Sequence, residues 1–425
     1  MRQIKLMVIS IIVLIGCSKS TEEQIVEEMT VLNNATDFDF FDYFLHENEI
    51  LILGEASHGD GKTFKVKSEM VKHLIDNFGY NTIAFEARDF LEMEIINGRT
   101  GINSLAPYLN QNNWVRQWSP WGPSQQIQPL VEVAQADQNL KFIGLEPYAS
   151  RNIHHILIYL KSELAEINAE IFDPQKWDLL QGIHLNLLNR KPDLISSDDY
   201  LSYLDYLDEN FNHLKQLGDN QKNNHILFLL QSVENLHTYV KISQIHASDL
   251  PEKEALNKIV KLRDKQMAEN LMWHKKRNPD AKIIVWMANF HGARDLKNIR
   301  FADGNPERYK KFNVFGEHIS NTYGDKVFSI AFTSSEGKSK MPYDFEGIEK
   351  QIIEPEDNTL EKTLENTNAD FGFVNFREIR RTKPSLKEEY FNSIMLGYVN
   401  QNGKWLNAFD GLFYVRKQEP AKPIK

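Results

Sequence analysis

The chain has a single cysteine, Cys17, in 425 residues. One thiol cannot close an internal disulfide or build a zinc site out of cysteines. Positive charge is scarce as well: 49 lysines and arginines stand against 59 aspartates and glutamates, a net charge of -10. An acidic chain is a poor partner for nucleic acid, whose phosphates need basic side chains to neutralise them. The apolar run at residues 6–15 is too short to span a bilayer, and no internal repeat or low-complexity tract interrupts the sequence. What remains is ordinary globular material, 41% hydrophobic and 25% charged, long enough for a large core in one domain or two.

The N-terminus is less ordinary. Arg2 and Lys5 precede the apolar run, which ends in Leu14-Ile15-Gly16-Cys17. A charged start, a short apolar stretch and small residues at a cleavage point make a secretory signal. Cys17 stands where a bacterial lipoprotein is cleaved and acylated, and the segment resembles a lipobox. The expectation is a signal peptide over residues 1–16, lipidation of Cys17, and anchoring in the bacterial cell envelope, at the outer membrane or cell surface rather than the inner membrane. A plain signal peptide or short anchor with a chance cysteine is the other reading. Cleavage removes Arg2 and Lys5, leaving 47 basic against 59 acidic residues, a net of -12; with Cys17 acylated, no thiol is left for catalysis. Residues 17–36, polar and acidic, read as a tether, and 416–425 as a C-terminal tail.

The domain between them, 37–415, is organised around residues 50–86. Residues 50–53 are a continuous apolar run that suits a buried strand. Gly54 breaks it, and Glu55 and His58 follow within one tight turn. An amphipathic helix comes next, apolar at Phe64, Val66, Met70, Val71, Leu74 and Ile75 and ended by Gly79. A second apolar run, 82–85, leads to Glu86. Strand–helix–strand units build parallel sheets with right-handed crossovers, and ligands sit beyond the carboxyl ends of the strands. Further buried strands are expected at 140–145, ending in Glu146, and at 282–287, 327–333, 370–377 and 412–415. Between about 150 and 280 the periodicity turns helical, with four or five helices that roof the site. The fold class is α/β: a three-layer core with a mixed, mostly parallel sheet and a large helical insertion.

Within that frame His58 is the strongest candidate for a general base. Imidazole titrates near neutrality, and a carboxylate on its other nitrogen, Glu55 or Glu86, fixes the tautomer and raises the basicity. Lys67 either stabilises an oxyanion or is a surface lysine on its helix. Arg263 and Asp264 line the roof or form an exposed ion pair. Trp118 and Trp121, in the loop 100–125, either face substrate or pack over the sheet edge. Asn289 and His291 sit in the loop after the strand 282–287. Glu55, His58, Glu86 and His291 would also serve as an oxygen and nitrogen set for a metal.

Several of these stretches carry a resemblance. Gly54-Glu55-Ala56-Ser57-His58-Gly59, Lys67 nine positions after His58, Glu86 at the next strand end, Arg263-Asp264 followed by Met267-Ala268-Glu269-Asn270, and Trp286-Met287-Ala288-Asn289-Phe290-His291 resemble the erythromycin esterase family, with Phe409-Asp410-Gly411 a weaker match. The resemblance implies a hydrolase that cleaves a carboxylic ester or lactone with water activated by His58. Glu55 and Glu86 would support that base, and His291 would be a second proton-transfer or substrate-binding group. Lys67 (commonly an arginine in the family), Arg263, Asp264, Trp118, Trp121, Glu146 and Asn289 are the expected substrate-binding residues. No cofactor is expected, and the partners are a small-molecule ester or lactone and, through the anchor, a membrane. One departure matters: Ala288 occupies the place of a family histidine, and Phe290 that of a small residue. Weak or absent hydrolysis of large macrolactones is the consequence expected. The alternative, drawn from the wider superfamily, is a ligand-, haem- or metal-binding lipoprotein without esterase activity.

Overall fold

A computed structural model describes residues 19–90, 93–94, 121, 124–137, 139–147, 161, 164–167, 172–188, 194–220, 224–301, 307–341 and 351–424. The expected signal peptide over 1–16, Cys17 and Trp118 lie outside these residues. Among the described residues the central sheet has eight strands: β1 (Met29–Leu32), β2 (Ile50–Leu53), β3 (Thr82–Asp89), β4 (Lys141–Glu146), β5 (Ile283–Trp286), β6 (Val327–Thr333), β7 (Phe371–Val374) and β8 (Gly411–Val415). Their spatial order is β1-β7-β8-β6-β2-β5-β3-β4. From β8 across to β4 every neighbouring pair is parallel, and only β7 runs against its neighbours β1 and β8. The sheet is thus mixed and mostly parallel.

Its strands are apolar on both faces because helices cover both. On one face Leu51, Leu53, Ile83, Phe85, Ile284 and Trp286 pack under α1 (Gly61–Phe78) and α2 (Gln128–Ala136). The C-terminal turn of α1 closes on Gly79 at φ 70, the left-handed conformation glycine adopts without a steric cost. The alternate residues Ile50, Ile52, Ala84, Ile283 and Val285 face the other way, against side chains from the helical insertion. Between 150 and 280 every regular element among the described residues is a helix: α3 (Pro174–Leu188), α4 (Ser197–Asn220), α5 (Asn224–His246) and α6 (Glu252–Arg277). The first three share their own core, with Trp177, Tyr203, Leu229 and Val240 fully or almost fully buried. In contrast, α6 joins the bundle to the sheet, packing Trp273 against that core and laying Met267 and Leu271 on the strands. A buried amide knot fixes it there: Gln231 and Asn235 of α5 donate to Asn270 Oδ1 at 2.9 and 2.8 Å, and Asn270 Nδ2 donates to the Leu145 carbonyl at 2.8 Å.

Two expectations fail at the chain ends. The tether over 17–36 is folded from residue 19. Thr21–Val26 is a short helix opened by a reciprocal cap in which Glu23 N–H donates to Ser20 Oγ at 3.1 Å and Ser20 N–H to Glu23 Oε2 at 2.8 Å. Ile25 is fully buried in the core beside β7 and β8, and Met29–Leu32 forms the edge strand β1. The expected tail is also ordered over its described residues, 416–424: Lys417 and Gln418 pair with Glu336 and Gly337, and Gln418 and Ala421 are buried. Both segments look polar because each brings only a few apolar residues, placed where the sheet edge needs them. Within β3 the strand does not stop at Phe85 but continues past Glu86 to Asp89.

If the N-terminal segment is part of the domain, Ile25→Ala lowers the unfolding free energy by about 2–5 kcal/mol, the range for emptying a buried aliphatic site. Urea denaturation measures it; a change below about 0.5 kcal/mol, the size of a surface substitution, would detach the segment from the core.

Candidate active site

Strand register brings the functional residues to one height. Leu53 pairs with Trp286, Trp286 with Phe85, and Phe85 with Gly144. The residues that follow, Glu55, Ala288, Glu86 and Glu146, therefore gather at the carboxyl edge of the sheet, Glu86 within β3 and Glu146 at the end of β4. At Glu86 the β3–β4 register shifts between Phe85 and Asp89, a bulge of the kind that re-aims a side chain. The turn after β2 presses on the loop after β5: Asn289 N–H donates to the Glu55 carbonyl at 2.8 Å, and a Cβ on Gly54 would sit 2.0 Å from Asn289 Oδ1. Only glycine fits that approach.

The first of two centres is built on Glu55, whose side chain is fully buried. Its Oε1 lies 3.0 Å from His58 Nδ1 and also accepts the Trp121 indole N–H, while Oε2 accepts from Lys67. Trp121 stands edge-on to the imidazole, with ring centroids 5.5 Å apart, and Lys67 Nζ lies 4.2 Å over the Trp286 ring. Lys67 is as buried as Glu55. His58 keeps 30% of its side-chain surface exposed; with Nδ1 tied to Glu55, Nε2 is the nitrogen left for the cleft.

The second centre is built on Arg263, reaching down from α6. Its Nε donates to both oxygens of Glu146 at 2.9 Å, Nη2 to Glu146 Oε2 at 2.6 Å and to Glu86 Oε1 at 3.0 Å, and Nη1 meets His291 Nε2 at 3.0 Å. His291 belongs to α7 (Asn289–Gly292), and its Nδ1 lies 2.7 Å from Asp264 Oδ2. Asp264 is held in turn by the Phe315 N–H at 2.9 Å, at the start of α8 (Phe315–Tyr323). Glu86 joins the centres. Its Oε2 accepts the Ala288 N–H at 2.8 Å, and its charge acts on both His58 and His291.

The electrostatics follow from that sharing. Burial alone would push Glu86 up, but His291, Arg263, His58 and the Ala288 N–H outweigh it and hold the carboxylate well below its usual range. Burial pulls both imidazoles down and is overcome: Glu55 and Glu86 raise His58, while Asp264 and Glu86 raise His291 against Arg263. Lys67 goes the other way, drawn down to about 8 by burial despite Glu55. Among the described residues no three histidine, aspartate or glutamate side chains are disposed to hold a metal ion; each acid here already answers an N–H or a cation.

The residues expected from sequence thus converge, though not all in the roles expected. His58, Glu55, Glu86 and His291 share one rim, with Arg263 and Glu146 beside them. Lys67 does not face substrate: it sits behind Glu55 on the buried stripe of α1 with Phe64, Val71 and Leu74, and a lysine removed from a buried pair leaves an uncompensated carboxylate costing about 3–5 kcal/mol. Trp121, 2% exposed, is a wall behind His58 and not a free surface. Asp264 is fully buried and positions His291. Asn289 is a clamp, its amide hydrogens donated to the Phe332 and Met395 carbonyls at 2.8 and 2.7 Å. Phe290 turns from the rim and packs its ring against Tyr309 and Phe312.

One residue escaped the sequence reading. Asp60, fully buried, accepts from Ser57 N–H at 3.0 Å and from Tyr398 O–H at 2.8 Å, and so fixes the turn that carries His58. The Ser57-to-Asp60 spacing hints at a side-chain-closed turn, but nothing local announces Tyr398. Burial raises the Asp60 carboxyl to about 7. A folded value above the unfolded one favours the neutral acid, so its contribution is complete below about pH 4 and fades as pH rises through about 7. Asp60→Asn keeps an acceptor and cannot ionise. Its urea stability relative to wild type should climb between those limits by up to about 1.4 kcal/mol per pH unit; parallel pH profiles would contradict this.

Comparisons with known proteins agree with this architecture. The profile of the erythromycin esterase family matches residues 75–418, which leaves the Glu55–His58 turn outside the match. The erythromycin esterase type II of Escherichia coli is 21% identical over 92% of this chain and 95% of its own, and a putative hydrolase of Bacillus subtilis (strain 168) is 21% identical over 92% and 88%. A crystal structure of a Bacillus cereus protein superposes with a TM-score of 0.70 at 15% identity, covering 95% of this chain and 98% of that one. An erythromycin esterase mutant solved in its open conformation gives 0.63 at 13% identity, over 91% and 95%. With the family profile spanning most of its length and the same α/β fold, this chain belongs to the erythromycin esterase family.

Proposed function

We propose that the protein hydrolyses a carboxylic ester or lactone, using His58 to activate water. The observation that carries this reading is the Glu55–His58 pair: Nδ1 is held at 3.0 Å by a fully buried carboxylate, while the His58 side chain keeps 30% of its surface exposed. Nε2 takes a proton from water as the oxygen bonds to the carbonyl carbon, and the carbonyl π pair moves to oxygen. Arg263, a fixed cation beside this rim, stabilises that oxyanion. The tetrahedral centre then expels the alkoxide, which recovers a proton from the imidazolium, giving acid and alcohol.

Ala288 shapes the choice of substrate. Its backbone N–H anchors Glu86 and its half-buried methyl lies on the rim, where an imidazole would add a donor, an acceptor and a charge. We therefore assign small esters or lactones in preference to large macrolactones. Lipidation of Cys17 and residence at the cell envelope complete the proposal, on the strength of the charged, apolar and small-residue order of residues 1–17.

A panel of simple esters, lactones and erythromycin, assayed with the wild-type protein and His58→Ala, tests the reading. Turnover of at least one simple ester is expected, with His58→Ala losing about 10²–10⁴-fold and erythromycin cleaved poorly. Because the base must be neutral and His58 is raised, kcat/KM should climb with pH through a midpoint above about 6.5. Equal rates in wild type and His58→Ala would contradict it, as would efficient erythromycin turnover for the substrate assignment.

A further inference from the structure

His291 Nε2 lies 3.0 Å from Arg263 Nη1 and 3.3 Å from Glu86 Oε1. Those neighbours ask opposite things of one nitrogen. A guanidinium only donates, so a bond to it needs a lone pair on Nε2; an ionised carboxylate only accepts, so a bond to it needs a proton there. The other nitrogen is committed in both states, because Asp264 Oδ2 at 2.7 Å accepts the Nδ1–H and is itself held by Phe315 N–H.

We propose that His291 is a proton-operated latch on Arg263. Neutral, the imidazole accepts one of the two Nη1 hydrogens and keeps that one from the cleft. Protonated from solvent, it turns Nε2–H to Glu86 Oε1 and frees that hydrogen for a carboxylate in the cleft. No other part of the guanidinium has to move, since Nε and Nη2 remain on Glu146 and Glu86. Glu86 Oε1 has lone pairs for both Nη2 and the imidazolium, and Oε2 stays on Ala288 N–H. Arg263 is also the most accessible member of the group, its side chain 17% exposed against 11% for His291, 9% for Glu146 and 3% for Glu86.

The charges facing the imidazole come from three elements. Asp264 and Arg263 approach from α6, Glu86 from β3 and Glu146 from β4, with His58 beyond Glu86. Burial and Arg263 disfavour the proton, and Asp264 and Glu86 together outweigh them. The inference deepens the hydrolase reading and rests on it only for the kind of group that Arg263 would meet.

Acetate, a carboxylate of the product class, serves as the probe. Its affinity for the wild-type protein is measured by calorimetry from pH 6 to 9 while His291 is followed by ¹⁵N NMR, assigned against His291→Gln. Linkage is reciprocal: acetate should raise the His291 titration midpoint, and its affinity should fall by up to about tenfold per pH unit above that midpoint. His291→Gln, which offers Arg263 a permanent acceptor, and Arg263→Gln, whose uncharged amide replaces the guanidinium, should both bind acetate weakly and without that slope. An unmoved midpoint in the wild-type protein overturns the latch without reference to any variant. So does a wild-type slope retained in Arg263→Gln, since the imidazolium alone would then hold the anion. No ester is turned over in these measurements, so failure of the hydrolase reading and failure of the latch are told apart.

Discussion

Everything at the carboxyl edge of the sheet depends on keeping one buried carboxylate, Glu86, ionised. Taking such a group out of water costs several kcal/mol unless charge and hydrogen bonds replace the lost hydration. Glu86 has all of them: Arg263 and the Ala288 N–H within 3.0 Å, His291 at 3.3 Å and His58 within electrostatic reach. In return its negative charge favours the proton on both imidazoles. The two histidines, beyond the ends of the adjacent strands β2 and β5, are thus coupled without touching. Glu55 and Asp264 provide each with a private partner on Nδ1, so among the described residues Glu86 is the carboxylate whose charge raises both of them.

The fold supplies this arrangement through register and a small number of clamps. Parallel pairing of β2, β5, β3 and β4 sets four chain exits level, and the bulge at Glu86 aims it across the rim. Gly54 lets Asn289 close against the neighbouring turn, whose Asp60 reaches Tyr398 on a distant loop. On the opposite side α6 carries Arg263 and Asp264 down to the strand ends, fixed by Asn270 to the end of β4. A roof helix is thereby part of the site's chemistry and not only its cover.

Much of this was legible in the sequence, for a physical reason. Buried parallel strands read as short apolar runs, and the residues just past them, Glu55, Glu86 and Glu146, are placed by topology alone. Lys67 shows where the reading stopped short. It lies on the same stripe as Phe64, Val71 and Leu74, a position that already declares burial, yet its charge suggested a surface or substrate-facing role. Asn289 looked like a binding residue because an amide's partners cannot be seen in sequence. The pairing of Asp60 with Tyr398 bridges 338 positions, and no local pattern encodes it. The ordered ends of the chain were hidden for a related cause. Elements of four to six residues have little stability of their own and exist through the tertiary surface they complete.

The central claim is that one charge governs both histidines, and Glu86→Gln tests it most directly. The substitution keeps the shape and an acceptor for Ala288 N–H while removing the charge. Followed by ¹⁵N NMR, the titration midpoints of His58 and His291 should both fall relative to wild type, with the protein still folded. If either histidine titrates where it did before, Glu86 does not couple the two centres.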